Sequence, residues 1–216
     1  MKHVILSFGL VLCLGKLSCG QGKDVFFFNE FQISLNRTYL HNDNTEDRFG
    51  FGLGAYHAFR ADKKLNIVFG LEYNRSSLFK KSMYEGHFAH FTNVTYHLNS
   101  LSIPLGLRLT MGSGIKIFIE IGGLADLVIS SNRSGIKHSF VPNENNQLVY
   151  NKTGIDEKAE LNDAIGVYFG LGIRIPVSGF ELIVKPEYKF GLRPLYSYQD
   201  EIFSRYFRIN IGLKIK

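Results

Sequence analysis

Residues 101–123 read LSIPLGLRLTMGSGIKIFIEIGG, and their pattern decides the fold. On both sides of the MGSG turn, in 101–109 and 115–121, a large aliphatic residue occupies every second position. Small, polar or charged residues, among them Arg108 and Glu120, fill most of the positions between them. Strict alternation predicts two β-strands, each with one aliphatic face and one polar face.

The same alternation recurs along most of the chain, and it predicts eight strands and an all-β fold. For example, Ile165, Val167, Phe169 and Leu171 alternate with glycines and Tyr168. The eight predicted strands are at about 27–36, 49–59, 65–74, 101–110, 115–129, 165–175, 180–193 and 206–216.

The predicted connections alternate between short and long. Short turns are expected at 60–63, 111–114 and 176–179, and longer polar connections at 38–47, 76–99, 131–162 and 195–203. Eight antiparallel passes would put every short turn on one rim of a barrel and every long loop on the other. Transmembrane β-barrels have this layout, with short periplasmic turns and long extracellular loops.

Alternation alone does not say whether the aliphatic face points inward or outward. A soluble lipocalin-like barrel would bury its aliphatic residues around a ligand, whereas a membrane barrel turns them toward lipid. Most predicted strands run to about 10–13 residues, close to the about 9–11 that a tilted membrane strand needs. We therefore predict an eight-stranded antiparallel up-and-down transmembrane β-barrel, with the soluble lipocalin-like barrel as the alternative.

In the membrane barrel, the polar face lines a lumen only wide enough for side chains. Charged residues there must pair, because an unpaired charge in a dry interior is costly. The predicted structural network consists of Glu72, Arg108, Lys116, Glu120, Asp126, Arg174, Glu181, Lys185, Glu187, Arg193 and Arg208.

The N-terminus has the features of a signal peptide. A basic start precedes an apolar stretch at 4–14, and Ser18-Cys19-Gly20 offers small residues before a cleavage site at Gln21. We predict a signal peptide at 1–20, a barrel domain at 21–216 and export to the outer membrane of a Gram-negative cell. Lipidation of Cys19 is an open alternative. Cys13 and Cys19 are the chain's two cysteines, so residues 21–216 contain no cysteine and can form no disulfide or thiolate metal site.

With its strands laid out, the chain resembles the PorT-like outer-membrane β-barrel family of Bacteroidota. The resemblance implies an outer-membrane location and, through the family's named member, a link to protein secretion. It is carried by 101–108 (LSIPLGLR), 120–123 (EIGG), 163–172 (DAIGVYFGLG), 188–192 (YKFGL) and 209–216 (INIGLKIK).

No motif predicts a catalytic, cofactor or metal site. His87, His90 and His97 lack a carboxylate or cysteine partner at a recognisable spacing, which favours solvated histidines. The glycines of 50–54 lie within an alternating strand, so they favour a crowded lumen over a phosphate loop. The adjacent His138 and Ser139 are the remaining candidate for a lipid-modifying enzyme.

The formal net charge of +6, or +4 once Lys2 and Lys16 leave with the signal peptide, is no nucleic-acid signature. We predict that the protein is not an enzyme and requires no cofactor. Its predicted partners are outer-membrane lipid and proteins bound through the loops at 76–99 and 131–162, with a structural or interaction role in a secretion or surface assembly. A soluble ligand-binding barrel and a lipid-modifying barrel enzyme are the alternative functions.

Overall fold

The computed structural model describes residues 28–38, 44–59, 63–85, 89–196 and 202–215. The predicted signal peptide at 1–20 lies outside these residues. Among the described residues, no helix is long and apolar enough to cross a membrane. The strands are β1 (Glu30–Thr38), β2 (Thr45–Glu46), β3 (Phe49–Phe59), β4 (Leu65–Glu85), β5 (Ala89–Met111), β6 (Lys116–Pro142), β7 (Leu148–Lys158), β8 (Ala164–Val177), β9 (Phe180–Tyr196) and β10 (Ile202–Ile215).

Eight of these strands form a closed antiparallel ring. The order around the ring is β4, β3, β1, β10, β9, β8, β6 and β5, and β5 pairs again with β4. Leu65 opposite Leu109 and Glu85 opposite Ala89 mark the two ends of that closing pair. The short β2 pairs with β4, and β7 pairs with β6, outside the ring. The predicted eight-stranded up-and-down barrel is thereby confirmed.

The tight turns lie at one end of the barrel. The β5–β6 turn contains Gly112 with φ of 99°, and the β8–β9 turn contains Gly179 with φ of 86°. Both values are in the left-handed region, which glycine adopts without a Cβ clash. The third predicted short turn begins within 60–62, outside the described residues.

The opposite end departs from the prediction, because two segments predicted as long loops are mainly strand. Residues 76–85 and 89–99 continue β4 and β5 as a paired hairpin, and 130–142 continue β6. β7 then folds back along β6 from Leu148 opposite Pro142 to Lys158 opposite Asn132. The strand residues within 76–99 and 131–162, which belong to β4, β5, β6 and β7, therefore form a sheet that extends beyond the barrel, and we call it the extension.

Large apolar side chains cover the outside of the barrel. On β5, Leu105, Leu107 and Leu109 are 57%, 50% and 43% exposed, while Arg108 between them is fully buried. The exposed members of this apolar belt include Phe31, Ile33, Leu35, Phe51, Leu53, Ile67, Leu71, Ile117, Ile121, Ile165, Val167, Phe169, Leu171, Phe207, Ile209, Ile211 and Leu213. The distribution is the reverse of a soluble calyx and is that of a transmembrane β-barrel.

Candidate functional site

The belt ends abruptly at the start of the extension. On β5, the residues facing outward change from Leu101 and Leu105 to the polar Asn99, His97 and Thr95. At the same level the inward residues change in the opposite sense, from buried Ser102 and Ser100 to buried Leu98, Tyr96 and Val94. An outer surface changes from apolar to polar where its surroundings change from lipid to water. The boundary of the apolar layer therefore lies between Asn99 and Leu101.

Glu72 is the centre of one group of buried charges in the lumen. Arg208 donates to both of its carboxylate oxygens, at 2.6 Å each, and Lys189 Nζ donates to Oε2 at 2.8 Å. The hydroxyl of Tyr56 and the amide of Asn74 also donate to this carboxylate. Two cations are thus held by one fully enclosed acid that lies on β4, across the lumen from β9 and β10.

A second group surrounds Arg108. Its Nε donates to Glu120 at 2.6 Å, and its Nη1 donates to Glu30 at 2.7 Å. Lys185 Nζ lies 3.1 Å from Glu120 and 2.7 Å from Glu187. All five side chains are buried, so their charges are compensated by direct partners rather than by water.

A third group lies close to the tight-turn end. Glu181 accepts from Lys116 at 2.7 Å, and Arg174 lies 3.5 Å away. Lys214 is a weaker partner, with 3.9 Å between its Nζ and Glu181 Oε2. Lys116 is partly exposed, which places this group near the barrel rim.

Of the eleven charged residues predicted to line the lumen, the structure brings nine into the three groups. Asp126 is also buried and has no ion-pair partner among the described residues, but it accepts from Ser102, whose hydroxyl accepts from Asn74 beside Glu72. The prediction that Arg193 lines the lumen is wrong, because its side chain is exposed. Phe190 pairs with Arg205 while Pro194 pairs with Phe203, so β9 has two extra residues here and the bulge turns Arg193 outward.

The prediction also missed Glu30, Lys189 and Lys214. Each lies at an inward position of its strand, on the same face as the residues that line the lumen. That position in the alternation is the signal that could have identified them. Glu30 pairs with Arg108 at the very start of β1. Lys189 pairs with Glu72.

Aromatic rings fill the space between these charges. The Phe118 ring lies between Arg108 and Arg174, whose guanidinium carbons are 4.6 and 5.3 Å from its centroid. A Cβ on Gly172 would overlap this ring, and a Cβ on Gly106 would overlap the Tyr168 hydroxyl. The glycines on the inward face are therefore needed because bulky rings occupy the lumen beside them.

An apolar cluster lies above the charged groups, on the inward side of the extension. Tyr96 donates to Met83 Sδ at 3.2 Å within it. Its buried members are Leu78, Met83, Phe91, Val94, Tyr96, Leu98, Ala159, Ala164 and Leu195. The cluster and most members of the charged groups are thus buried side chains.

The described histidines of the extension do not form a metal site. His90 and His138 are cross-strand neighbours with ring centroids 5.5 Å apart, whereas His97 lies seven residues further along β5. His138 already contacts Thr92 and Tyr150 through its two ring nitrogens. His87 lies outside the described residues, and within them no cluster of three or more His, Cys, Asp or Glu side chains could hold a metal.

His138 and Ser139 do not form a nucleophile–base pair either. Consecutive strand residues point to opposite faces of a sheet, and the two residues are consecutive on β6. His138 shares the face of Tyr150, and the two side chains are in contact. The arrangement offers no support for the lipid-modifying enzyme.

β7 is the edge of the extension. It pairs with β6 along its whole length, and no other described strand pairs with its second edge. Ten of its eleven residues are exposed. At the tip, Phe140, Val141, Leu148, Val149 and Tyr150 are large apolar residues that are also exposed.

Comparisons with known proteins reveal similar folds but no family. No protein-family model matches the chain, and no curated protein does. Neisserial surface protein A is a similar structure, with a TM-score of 0.46 and 9% identity over 87% of this chain and 96% of that one. A major outer membrane protein of Thermus thermophilus has a TM-score of 0.43 and 11% identity, over 86% of this chain and 98% of that one. The attachment invasion locus protein Ail of Yersinia pestis has a TM-score of 0.39 and 12% identity, over 87% of this chain and 98% of that one.

Proposed function

We propose that the protein is an outer-membrane β-barrel, exported with a signal peptide at 1–20, that holds an interaction sheet at the cell surface. In this proposal the barrel is a non-conducting anchor. The extension binds a protein partner, which adds a strand to the free edge of β7. The observation that carries the proposal is this edge, which no other described strand pairs, on a strand with ten of its eleven residues exposed beyond the apolar belt.

An unpaired edge strand presents a row of backbone N–H and C=O groups that another strand can satisfy. Natural proteins protect such edges with prolines, bulges or charged residues. β7 contains no proline, and its register with β6 is continuous. Its first four residues, Leu148 to Asn151, carry no charge, so the part of the edge nearest the tip lacks these protections.

The filled interior supports a structural role over transport. Arg108, Arg174, Arg208, Tyr56 and Phe118 are among the largest fully buried side chains, and they belong to strands on different sides of the ring. Vesicles that contain the purified protein should swell in arabinose no faster than empty vesicles. Swelling at a porin-like rate would refute the anchor.

The resemblance to PorT-like barrels supports a partner within a secretion or surface assembly. The apolar belt supports an outer-membrane location, because a β-barrel must be closed and apolar outside to lie in a bilayer. Recovery of the mature protein in the outer-membrane fraction, with a folded band that shifts on heating in SDS, tests that location.

Photocrosslinking tests the strand-addition proposal. A benzoylphenylalanine replaces Lys152 on β7 in one variant and Thr95, on the same face of the already paired β5, in the control. In intact cells we expect a discrete adduct from position 152 and none from 95. The edge-protecting substitution Tyr150→Lys should remove the adduct, whereas Thr95→Lys should leave it.

Equal adducts from positions 95 and 152, or an adduct that persists with Tyr150→Lys, would show that the partner does not bind along the β7 edge. Circular dichroism of both lysine variants checks that the extension is still folded.

A further inference from the structure

We propose that the outer face of the barrel contains a binding site for one glycolipid of the outer leaflet, with a phosphorylated saccharide headgroup. The headgroup would occupy a polar cleft above the apolar belt, and an acyl chain would follow an apolar groove below it. This inference rests on the proposed outer-membrane location but not on the proposed partner of β7.

The polar cleft has a volume of about 260 Å³. Strands β4, β5, β6 and β7 contribute to it, immediately beyond the level where the belt ends. Its lining includes Arg75, His97, Asn99, Asn132, Ser134 and Asp156. These residues lie on the outward face, at the depth where lipid headgroups meet the barrel.

Two of the charged groups in the cleft are available for a ligand. Among the described residues, the guanidinium of Arg75 and the carboxylate of Asp156 have no hydrogen-bond or ion-pair partner. Arg75 can bind a phosphate through two parallel N–H donors. Asp156 and the asparagine amides can accept or donate hydrogen bonds at sugar hydroxyls. A phosphate and several hydroxyls on one headgroup match this mixture, whereas a zwitterionic choline headgroup leaves Asp156 without a donor.

The apolar groove has a volume of about 640 Å³, and its lining reaches Tyr73 on β4 and Leu101 on β5, each two positions from a residue of the cleft. The floor of the groove is at Ala55, whose cross-strand neighbours are Phe31 on β1 and Leu71 on β4. The small alanine side chain leaves a depression between these two large ones. Leu53 and Ile211 also line the groove. An acyl chain fits such a depression better than it fits a smooth row of aliphatic residues.

Tyr73 joins the two parts. Its ring lines the groove, and its hydroxyl donates to Asn99 Oδ1 at 2.8 Å. Asn99 in turn lines the cleft and donates to Ser130 at 2.8 Å. The change from acyl-chain contacts to headgroup contacts therefore occurs across one side-chain hydrogen bond, as a single amphiphilic ligand requires.

Native mass spectrometry of the full protein, purified from outer membranes in a mild detergent, tests the site. The probes are bisphosphorylated lipid A, phosphatidylglycerol and phosphatidylcholine. We expect one lipid A per protein, bound more tightly than either phospholipid. Arg75→Gln should weaken lipid A binding about tenfold, the loss expected for one charged hydrogen-bonding partner.

Two further variants separate the parts of the site. Ala55→Phe fills the groove and should also weaken lipid A binding, whereas it should leave binding of the deacylated headgroup unchanged. Arg193→Gln removes an exposed arginine elsewhere on the barrel and should change neither. Heat-modifiability on gels confirms that each variant is folded.

Equal lipid A affinity for wild type and Arg75→Gln would overturn the proposal, as would equal binding of all three lipids. Absence of the protein from the outer-membrane fraction would instead refute the proposed location. The two failures are therefore distinguishable.

Discussion

Replacing Glu72 with glutamine removes the acid that compensates two cations in the lumen. Its carboxylate accepts two hydrogen bonds from Arg208 at 2.6 Å and one from Lys189 at 2.8 Å, and it is 1% exposed. The glutamine side chain would have the same shape but no charge. Arg208 would keep its ion pair with Glu187, whereas Lys189 would lose its ion pair with residue 72.

Breaking a buried ion pair on one side typically costs about 3–5 kcal/mol, because an uncompensated charge stays in the interior. We expect the free energy of unfolding to fall by that amount, which is a factor of about 10²–10³ or more in the equilibrium constant. The assay is urea-induced unfolding in phospholipid vesicles, followed by circular dichroism. The chain contains no tryptophan, so tyrosine fluorescence provides the second probe.

Two variants make this result specific. Glu144→Gln changes the same group at the exposed tip of the extension and should alter stability by less than about 0.5 kcal/mol. In Glu72→Gln with Lys189→Gln, the stranded cation is also removed. That double variant should therefore lose less stability than the sum of the two single variants, by about 0.5–3 kcal/mol. A Glu72→Gln variant as stable as Glu144→Gln would refute the idea that the lumen charges depend on one another.

Two further substitutions test the belt and the packing of the lumen in the same unfolding assay. Ile211→Arg puts a charge on the lipid-facing side and should cost about 2–4 kcal/mol near the bilayer midplane, whereas Thr95→Arg, beyond the belt, should cost under about 1 kcal/mol. Equal losses would contradict the boundary drawn between the two. Gly172→Ala places a Cβ against the Phe118 ring and should cost about 1–3 kcal/mol, and Gly154→Ala, whose Cβ meets no atom within 4 Å, is its control.

The sequence predicts the barrel strands well where one face meets lipid. β3 has the predicted bounds, and β8 differs from its predicted span by one or two residues at each end. Lipid requires an uninterrupted aliphatic face, so alternation is strongest in these segments. The same requirement explains why most of the inward charges could be recognised from their positions in the alternation.

The extension was predicted as loops because its strands do not meet lipid. Residues 94–98 alternate as well, but there the apolar side chains point inward and the polar ones outward, opposite to the belt. A search for aliphatic outward faces stops at Leu101 for that reason. Backbone pairing between neighbouring strands continues past the boundary, and only the structure reveals it.

Individual partners within the lumen could not be predicted either. The alternation of each strand predicts that Glu72 and Arg208 face inward. It does not predict their contact, because the two residues are 136 positions apart in the chain and meet across the barrel. The exposed Arg193 depends on two extra residues in β9, and such a bulge leaves no clear sign in the alternation of 180–193.

The boundary on β5 is the most direct test of the membrane assignment. Residues 21–216 contain no cysteine, so single cysteines at 95, 97, 105, 107 and 109 can each carry a nitroxide in lipid vesicles. The account predicts high oxygen and low nickel-chelate accessibility at 105, 107 and 109, with the reverse at 95 and 97. A water-soluble nickel chelate that reached 105 and 107 as readily as 95 and 97 would contradict it.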